Sequence, residues 1–196
     1  THPSSIFPDF SQAGAGALSI GEVGLQRPAV PGGHQMWLRM GGFYNDSEYR
    51  KLKGSGVDTN ATFYVGLDYQ ATQIDPTTPF RGIYLGGSYF WAPENVNVSN
   101  QSFEARVYAI GYSDRRPRDT LTIKVNWAHY SKDAQSAYSR LGSYTNSNQF
   151  SITASYSAHA AAGLYIIPSI AYIRNPSFVG SFKDALNAQL SVSVLF

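Results

Sequence analysis

Cysteine is missing from all 196 residues, which excludes disulfides and thiolate-held metals and fits, without proving, a secreted or cell-surface protein. Charge is scarce: Asp, Glu, Lys and Arg make up 14% of the chain and sum to a net +2. The one dense basic cluster, Arg115-Arg116-Pro117-Arg118, is too short to track a phosphate backbone, so no nucleic-acid partner is expected. No run approaches ~18 apolar residues, so no transmembrane helix can be drawn. The opening Thr1-His2-Pro3-Ser4 has neither the basic nor the apolar region of a secretory signal. Mean hydropathy, −0.24, reads as that of a soluble protein. Such an average conceals a chain whose residues alternate between water and lipid, however, so alternation must be read directly.

Aromatic residues are plentiful, with 14 Tyr, 11 Phe and 3 Trp, which argues against disorder. About nine segments, separated by clusters of Gly, Pro, Asn, Asp and Ser, carry the signature of strands and turns. They fall near 16–26, 34–44, 61–70, 82–92, 102–112, 119–130, 149–158, 163–173 and 185–196. No long amphipathic helix is predicted between them. Strands of about ten residues exceed the length usual in soluble sheets and match the ~9–11 needed to cross a bilayer at a tilt.

Successive side chains on a strand point to opposite faces, which divides each segment into two sets. One set reads Phe63, Val65, Leu67, Tyr69, then Ile83, Leu85, Tyr89, Trp91, then Leu121, Ile123, Val125, Trp127, with no charge among them. The opposite set holds Asp68, Glu104, Arg106, Lys124, Asn126, Thr153 and Gln189 and belongs in water. Trp91, Tyr112, Tyr130, Tyr172 and Phe196 stand where segments meet loops, as an aromatic girdle requires. Connections alternate between compact and extended. With Phe196 ending the last strand on the periplasmic side, 27–33, 71–81, 113–119 and 159–163 are inner turns, and 45–60, 92–101, 131–148 and 174–183 are outer loops. The same alternation also suits a soluble β-sandwich that binds a sugar or a protein.

Three stretches resemble a known family. They are Phe80-Arg81-Gly82-Ile83-Tyr84 leading to Trp91-Ala92-Pro93-Glu94-Asn95, then Phe103 through Gly111-Tyr112 to Arg116-Pro117-Arg118-Asp119-Thr120-Leu121, then Ile167-Pro168 through Tyr172-Ile173-Arg174-Asn175-Pro176. Together they resemble the C-terminal half of the OprB-type carbohydrate-selective porins of Gram-negative outer membranes, from about Trp37 to Phe196. The resemblance implies an all-β fold, a transmembrane antiparallel β-barrel of which about nine strands lie here and roughly 16 make the whole. Residues 1–33 are then an N-terminal loop and first strand, and residues 34–196 the barrel portion. It further implies location in the outer membrane, contact with its lipid, and passive passage of sugars or similar solutes. Because unpaired strand edges are not tolerated in hydrocarbon, a second chain or an N-terminal half must complete the barrel. A small closed barrel made without the first segment is the alternative.

A channel of this kind needs no catalytic residue, cofactor or metal. Its candidates are the charges and aromatics of the water-facing set: Glu104 and Arg106 in one phase of one strand, Lys124 on the next, Asp68 on an earlier one, and Trp37 with Arg39. Charged groups can exchange hydrogen bonds with sugar hydroxyls while aromatic faces stack on the ring. Individually, each charge is read more readily as an ion pair that keeps a lumen wet than as a contact to the solute. Asp114 and Asp119 are expected to neutralise the Arg115–Arg118 turn, and Pro168 to mark a bulge. The histidines, His2, His34, His129 and His159, lack metal-ligand spacing, and no serine lies in a G-x-S-x-G frame. The sequons at Asn45, Asn60, Asn97 and Asn100 are expected by chance.

Overall fold

The computed structural model describes residues 16–180 and 182–195. Expectations for the first fifteen residues and for Phe196 lie outside that range. Nine strands, β1 (Leu18–Arg27), β2 (Met36–Arg50), β3 (Val57–Gln70), β4 (Gly82–Trp91), β5 (Ser99–Ile110), β6 (Thr120–Tyr130), β7 (Asn148–Ala161), β8 (Leu164–Arg174) and β9 (Ala185–Val194), are joined in sequence order. They form one antiparallel sheet in which each strand pairs with its neighbours in the chain. Strands β1 and β9 are its edges, run in the same direction, and do not pair with each other among the described residues. A small closed barrel is therefore not formed here.

Where the apolar side chains go decides between membrane wall and sandwich. A sandwich folds a second sheet over the first and buries the inner faces of both. Here there is one layer, and Tyr84, Ala92, Tyr130 and Ala134 are the only buried hydrophobic residues among those described. Leu85, Leu121 and Ile170 stay about half exposed, at 51%, 50% and 49%. An uncovered apolar band of that extent is stable only against lipid, which overturns the sandwich.

Several local features differ from the sequence reading. Most of the outer loop expected at 45–60 is strand: a register shift between Asn45 and Tyr49 lets β2 and β3 continue as a hairpin to Arg50 and Val57. A short helix, α1 (Lys132–Ser139), sits in the next-but-one loop at the same end, its first turn capped by the Ser131 hydroxyl accepting from the Ala134 N–H. Pro168 interrupts the β7–β8 ladder opposite Tyr156 and Ser157 because it has no N–H to give, but the register is unchanged across it; the shift comes between His159 and Ala161, beside the turn. Tyr130 is no girdle residue: it is buried and packs edge-on against Phe178 at 5.1 Å. Trp91, Tyr112 and Tyr172 remain exposed.

The compact end is braced by buried polar groups. Gln70, fully buried, accepts from the Gln35 N–H at 3.0 Å and donates to the Pro79 carbonyl at 2.7 Å, tying two turns together. Arg81 donates to the Gly111 carbonyl at 2.8 Å and to Asp114 at 2.7 Å, so Asp114 neutralises Arg81 and not the neighbouring arginines. Gly111 has φ +58°, and a Cβ there would lie 2.3 Å from the Pro117 carbonyl, so only glycine fits. Asp119 accepts from Arg116 Nε at 2.6 Å, from the His159 N–H at 2.9 Å and from the Tyr156 hydroxyl. Burial raises the Asp119 pKa, but these donors outweigh it and hold the carboxyl below the ordinary range.

At the opposite end the sequon asparagines are structural. Asn60 and Asn97 exchange amide hydrogen bonds of 3.1 and 2.9 Å. Buried Asn100 donates to Glu94 at 3.0 Å and meets His129 Nδ1 at 2.9 Å. Asn175 of the Asn-Pro motif takes a left-handed φ of 52° as β8 ends, which a short amide side chain tolerates.

Candidate functional site

Cross-strand register turns the phase of single strands into a site. On the inner face Trp37, Asp68, Gly86, Arg106 and Lys124 are directly opposed in one row across β2 to β6. Arg39, Gly66, Ser88 and Glu104 form the adjacent row across β2 to β5. Arg106 reaches across β4 and clamps Asp68 with two bonds, Nε to Oδ1 at 3.0 Å and Nη2 to Oδ2 at 2.6 Å. Its remaining terminal nitrogen donates to Glu104 at 2.6 Å, and Lys124 Nζ lies 3.4 Å from the other oxygen of Glu104. The Tyr108 hydroxyl adds a bond of 3.2 Å to Asp68.

Two carboxylates and two cations thus form one chain of alternating sign, formally neutral. Paired carboxylates and guanidinium at a half-buried site give strong, directional bonds. Lys124, whose side chain is 42% exposed, is the member most open to solvent.

The clamp depends on a residue with no side chain. Gly86 lies between Asp68 and Arg106, and a Cβ there would sit 2.5 Å from Asp68 Oδ1, 2.6 Å from Arg106 Nε and 2.9 Å from Arg106 Cγ. The gap over β4 is the channel in which the arginine stem lies. Trp37 and Arg39 are not part of this ion-pair chain: the Arg39 guanidinium stacks 4.2 Å above the Trp37 ring.

Aromatic residues that carry no candidate role in the sequence reading complete the inner face. Tyr84 and Tyr108 stack with centroids 4.9 Å apart, and Phe43, Tyr64 and Phe90 form a run with spacings of 5.8 and 5.7 Å. Tyr64, Tyr84 and Tyr108 do fall in the water-facing set, but nothing in one strand's phase says which rings meet. The glycine pair Gly86-Gly87 inside a strand is the signal that could have marked the clamp, since glycine there often allows close approach.

A single antiparallel meander, apolar where no second layer covers it and ion-paired on its other face, is the wall of a transmembrane β-barrel. The family model for carbohydrate-selective porins of the OprB family matches residues 9–196. The chain belongs to that family, and its place is the outer membrane of a Gram-negative bacterium. No curated protein sequence matches it significantly. Among solved structures it is similar to Pseudomonas putida OprB at high pH, with a TM-score of 0.81 and 19% identity. That match covers 94% of this chain but 50% of the other, so the chain spans half the length of its structural neighbour.

Proposed function

We propose that this chain forms part of the wall of an outer-membrane channel that passes sugars or similar small, uncharged, hydrophilic solutes by diffusion, without bond chemistry. In this reading Asp68, Glu104, Arg106 and Lys124 line the lumen, with Trp37 and Arg39 beside them. The observation that carries it is the electrical neutrality of the inner-face cluster. A lining with unbalanced charge attracts counter-ions, whereas alternating carboxylates and cations present donors and acceptors to hydroxyl groups without favouring either ion. Along the run of Phe43, Tyr64 and Phe90, the exposed rings of Phe43 and Phe90 supply apolar faces of the kind a pyranose ring covers.

The edges of β1 and β9 are completed by further strands, from a remainder of the same polypeptide or from a second one, with residues 34–196 as the C-terminal portion of the barrel. The connections at 71–81, 111–119 and 162–163 then face the periplasm. A gel of the membrane-extracted barrel, unheated and heated, with intact-mass analysis of every chain, identifies the completing strands. Swelling of proteoliposomes containing that barrel tests the solute: neutral mono- and disaccharides should enter faster than anionic or cationic solutes of equal size. Equal rates for neutral and charged solutes would reject sugar selectivity. No swelling with any solute would reject the channel.

A further inference from the structure

We propose that a groove on the lipid-facing side of the sheet is a phospholipid site, seating one acyl chain along β5 with its phosphate at Arg116. The inference rests on the outer-membrane placement and on the turn end facing the periplasm.

A barrel wall is normally a convex surface over which lipid chains slide. Here it is indented. Ala109 lies in register between Ile83 on β4 and Leu121 on β6, and Val107, one row deeper, between Leu85 and Ile123. The small side chain forms a floor and its larger neighbours form walls, which leaves a cavity of about 410 Å³ on the scale of a single fatty-acyl chain. The site lies four strands in from each sheet edge and is unaffected by whatever pairs with β1 or β9.

The mouth of the groove opens at the β5–β6 turn, where its lining changes from carbon to Tyr112, Ser113 and Arg116. Tyr112 is 67% exposed, an amphipathic ring at the depth where headgroups begin. Arg116 uses Nε to hold Asp119 at 2.6 Å, while its side chain stays 47% exposed. Asp114 is taken by Arg81 at 2.7 Å, so Asp119 is the carboxylate of this turn that Arg116 faces. A guanidinium at the end of an apolar groove matches a phosphate at the end of an acyl chain. A glycerophospholipid of the periplasmic leaflet has both parts in that order.

The test uses the intact barrel containing this chain, delipidated in detergent, then titrated with phosphatidylglycerol or with lipid A and read by native mass spectrometry. One phosphatidylglycerol should remain bound per barrel. Ala109→Trp, which fills the floor of the groove, should weaken retention about tenfold or more, and Arg116→Gln by roughly fivefold. Ala109→Phe serves if the larger side chain prevents the heat-modifiable folded form. Sugar flux should be unchanged in all three, so a failed lipid site and a failed channel are distinguishable. Retention unaltered by Ala109→Trp or Ala109→Phe, a preference for lipid A, or cross-linking of position 107 to a second barrel in place of lipid would each overturn the proposal.

Discussion

Replacing Gly86 by alanine should separate two opposing effects of one methyl group. In a strand, Gly→Ala lowers the entropy of the unfolded chain and by itself stabilises by about 0.4–1 kcal/mol. At position 86 the new Cβ would fall 2.5 Å from Asp68 Oδ1, the tip of a side chain that can turn aside, and 2.6 Å from Arg106 Nε and 2.9 Å from its Cγ, in the middle of the arginine stem. The stem must lift off β4, breaking both bonds to Asp68. Hydrogen bonds to charged groups are worth about 1.5–3 kcal/mol each, and a water-filled lumen returns much of that by solvation. Setting a residual loss of roughly 2–3 kcal/mol against the entropic gain leaves Gly86→Ala destabilising by about 1–2 kcal/mol. With this face lining the lumen as proposed, the released guanidinium would stand in the path of solutes, and unit conductance in planar bilayers should also fall. Denaturant-induced unfolding in detergent, followed by the heat-modifiable band, measures the stability term. Gly87→Ala is the control, since its Cβ would meet only the Glu104 carbonyl, at 3.3 Å. The decisive comparison is the double-mutant cycle: with Arg106 already alanine, Gly86→Ala should lose its cost and become neutral or stabilising. A cost that persists without the arginine would refute the explanation.

Three further outcomes follow from other parts of the wall. Glu104→Gln removes a negative charge facing Lys124 and should shift the zero-current potential in a salt gradient toward anion preference, whereas Lys124→Met should shift it toward cations; shifts of the same sign would break the assignment of both to one lumen. The Thr78 hydroxyl, then the hydroxyl and N–H of Thr77, hold Asp75 well below the usual carboxylate range, at about 2. The folded state therefore gains stability above the unfolded pKa of about 3.9 and loses it as pH falls toward 2, so the difference in unfolding temperature between the native chain and Asp75→Asn should be flat near neutrality and vanish in acid. Asn97→Ala removes the amide exchange with Asn60 and a 3.0 Å bond to the Pro93 carbonyl, and should loosen the hairpin held by the 2.8 Å bond from the Leu52 N–H to the Asn95 carbonyl. Trypsin should then cut faster at Lys51 or Lys53, while the strands themselves stay protected.

The strands were legible because each carries its own evidence. Phe63, Val65 and Leu67 alternate with Tyr64, Gly66 and Asp68 whether or not the neighbours are known, and the observed bounds of β4, β6 and β8 fall within one residue of the expected ones. What the site does with those residues was not legible, since pairing is a property of register between strands. Asp68 and Arg106 are 38 positions apart and meet only because Gly86 is opposite both. The β2–β3 hairpin beyond Asn45 was missed because Asn, Asp and Ser there read as turn residues, while in place they bond side chain to backbone: the Ser47 N–H donates to the Asn45 side chain at 2.9 Å. Helix α1 is eight residues long, too short for a periodic pattern to emerge, and its one strong signal is the cap at Ser131.

Among the described residues, nine strands in an unbroken up-and-down order leave β1 and β9 pointing the same way. Placing β9 of one copy beside β1 of another would make a parallel seam, with slanted and weaker pairing, in a structure otherwise antiparallel throughout. Self-association therefore offers this sheet a poor route to closure. An antiparallel ring needs an odd number of added strands, whose two outer members both run opposite to β1 and β9. That parity constrains whatever continues the sheet: the strands placed beside β1 and beside β9 must both run opposite to them, whether they come from the same polypeptide or from another.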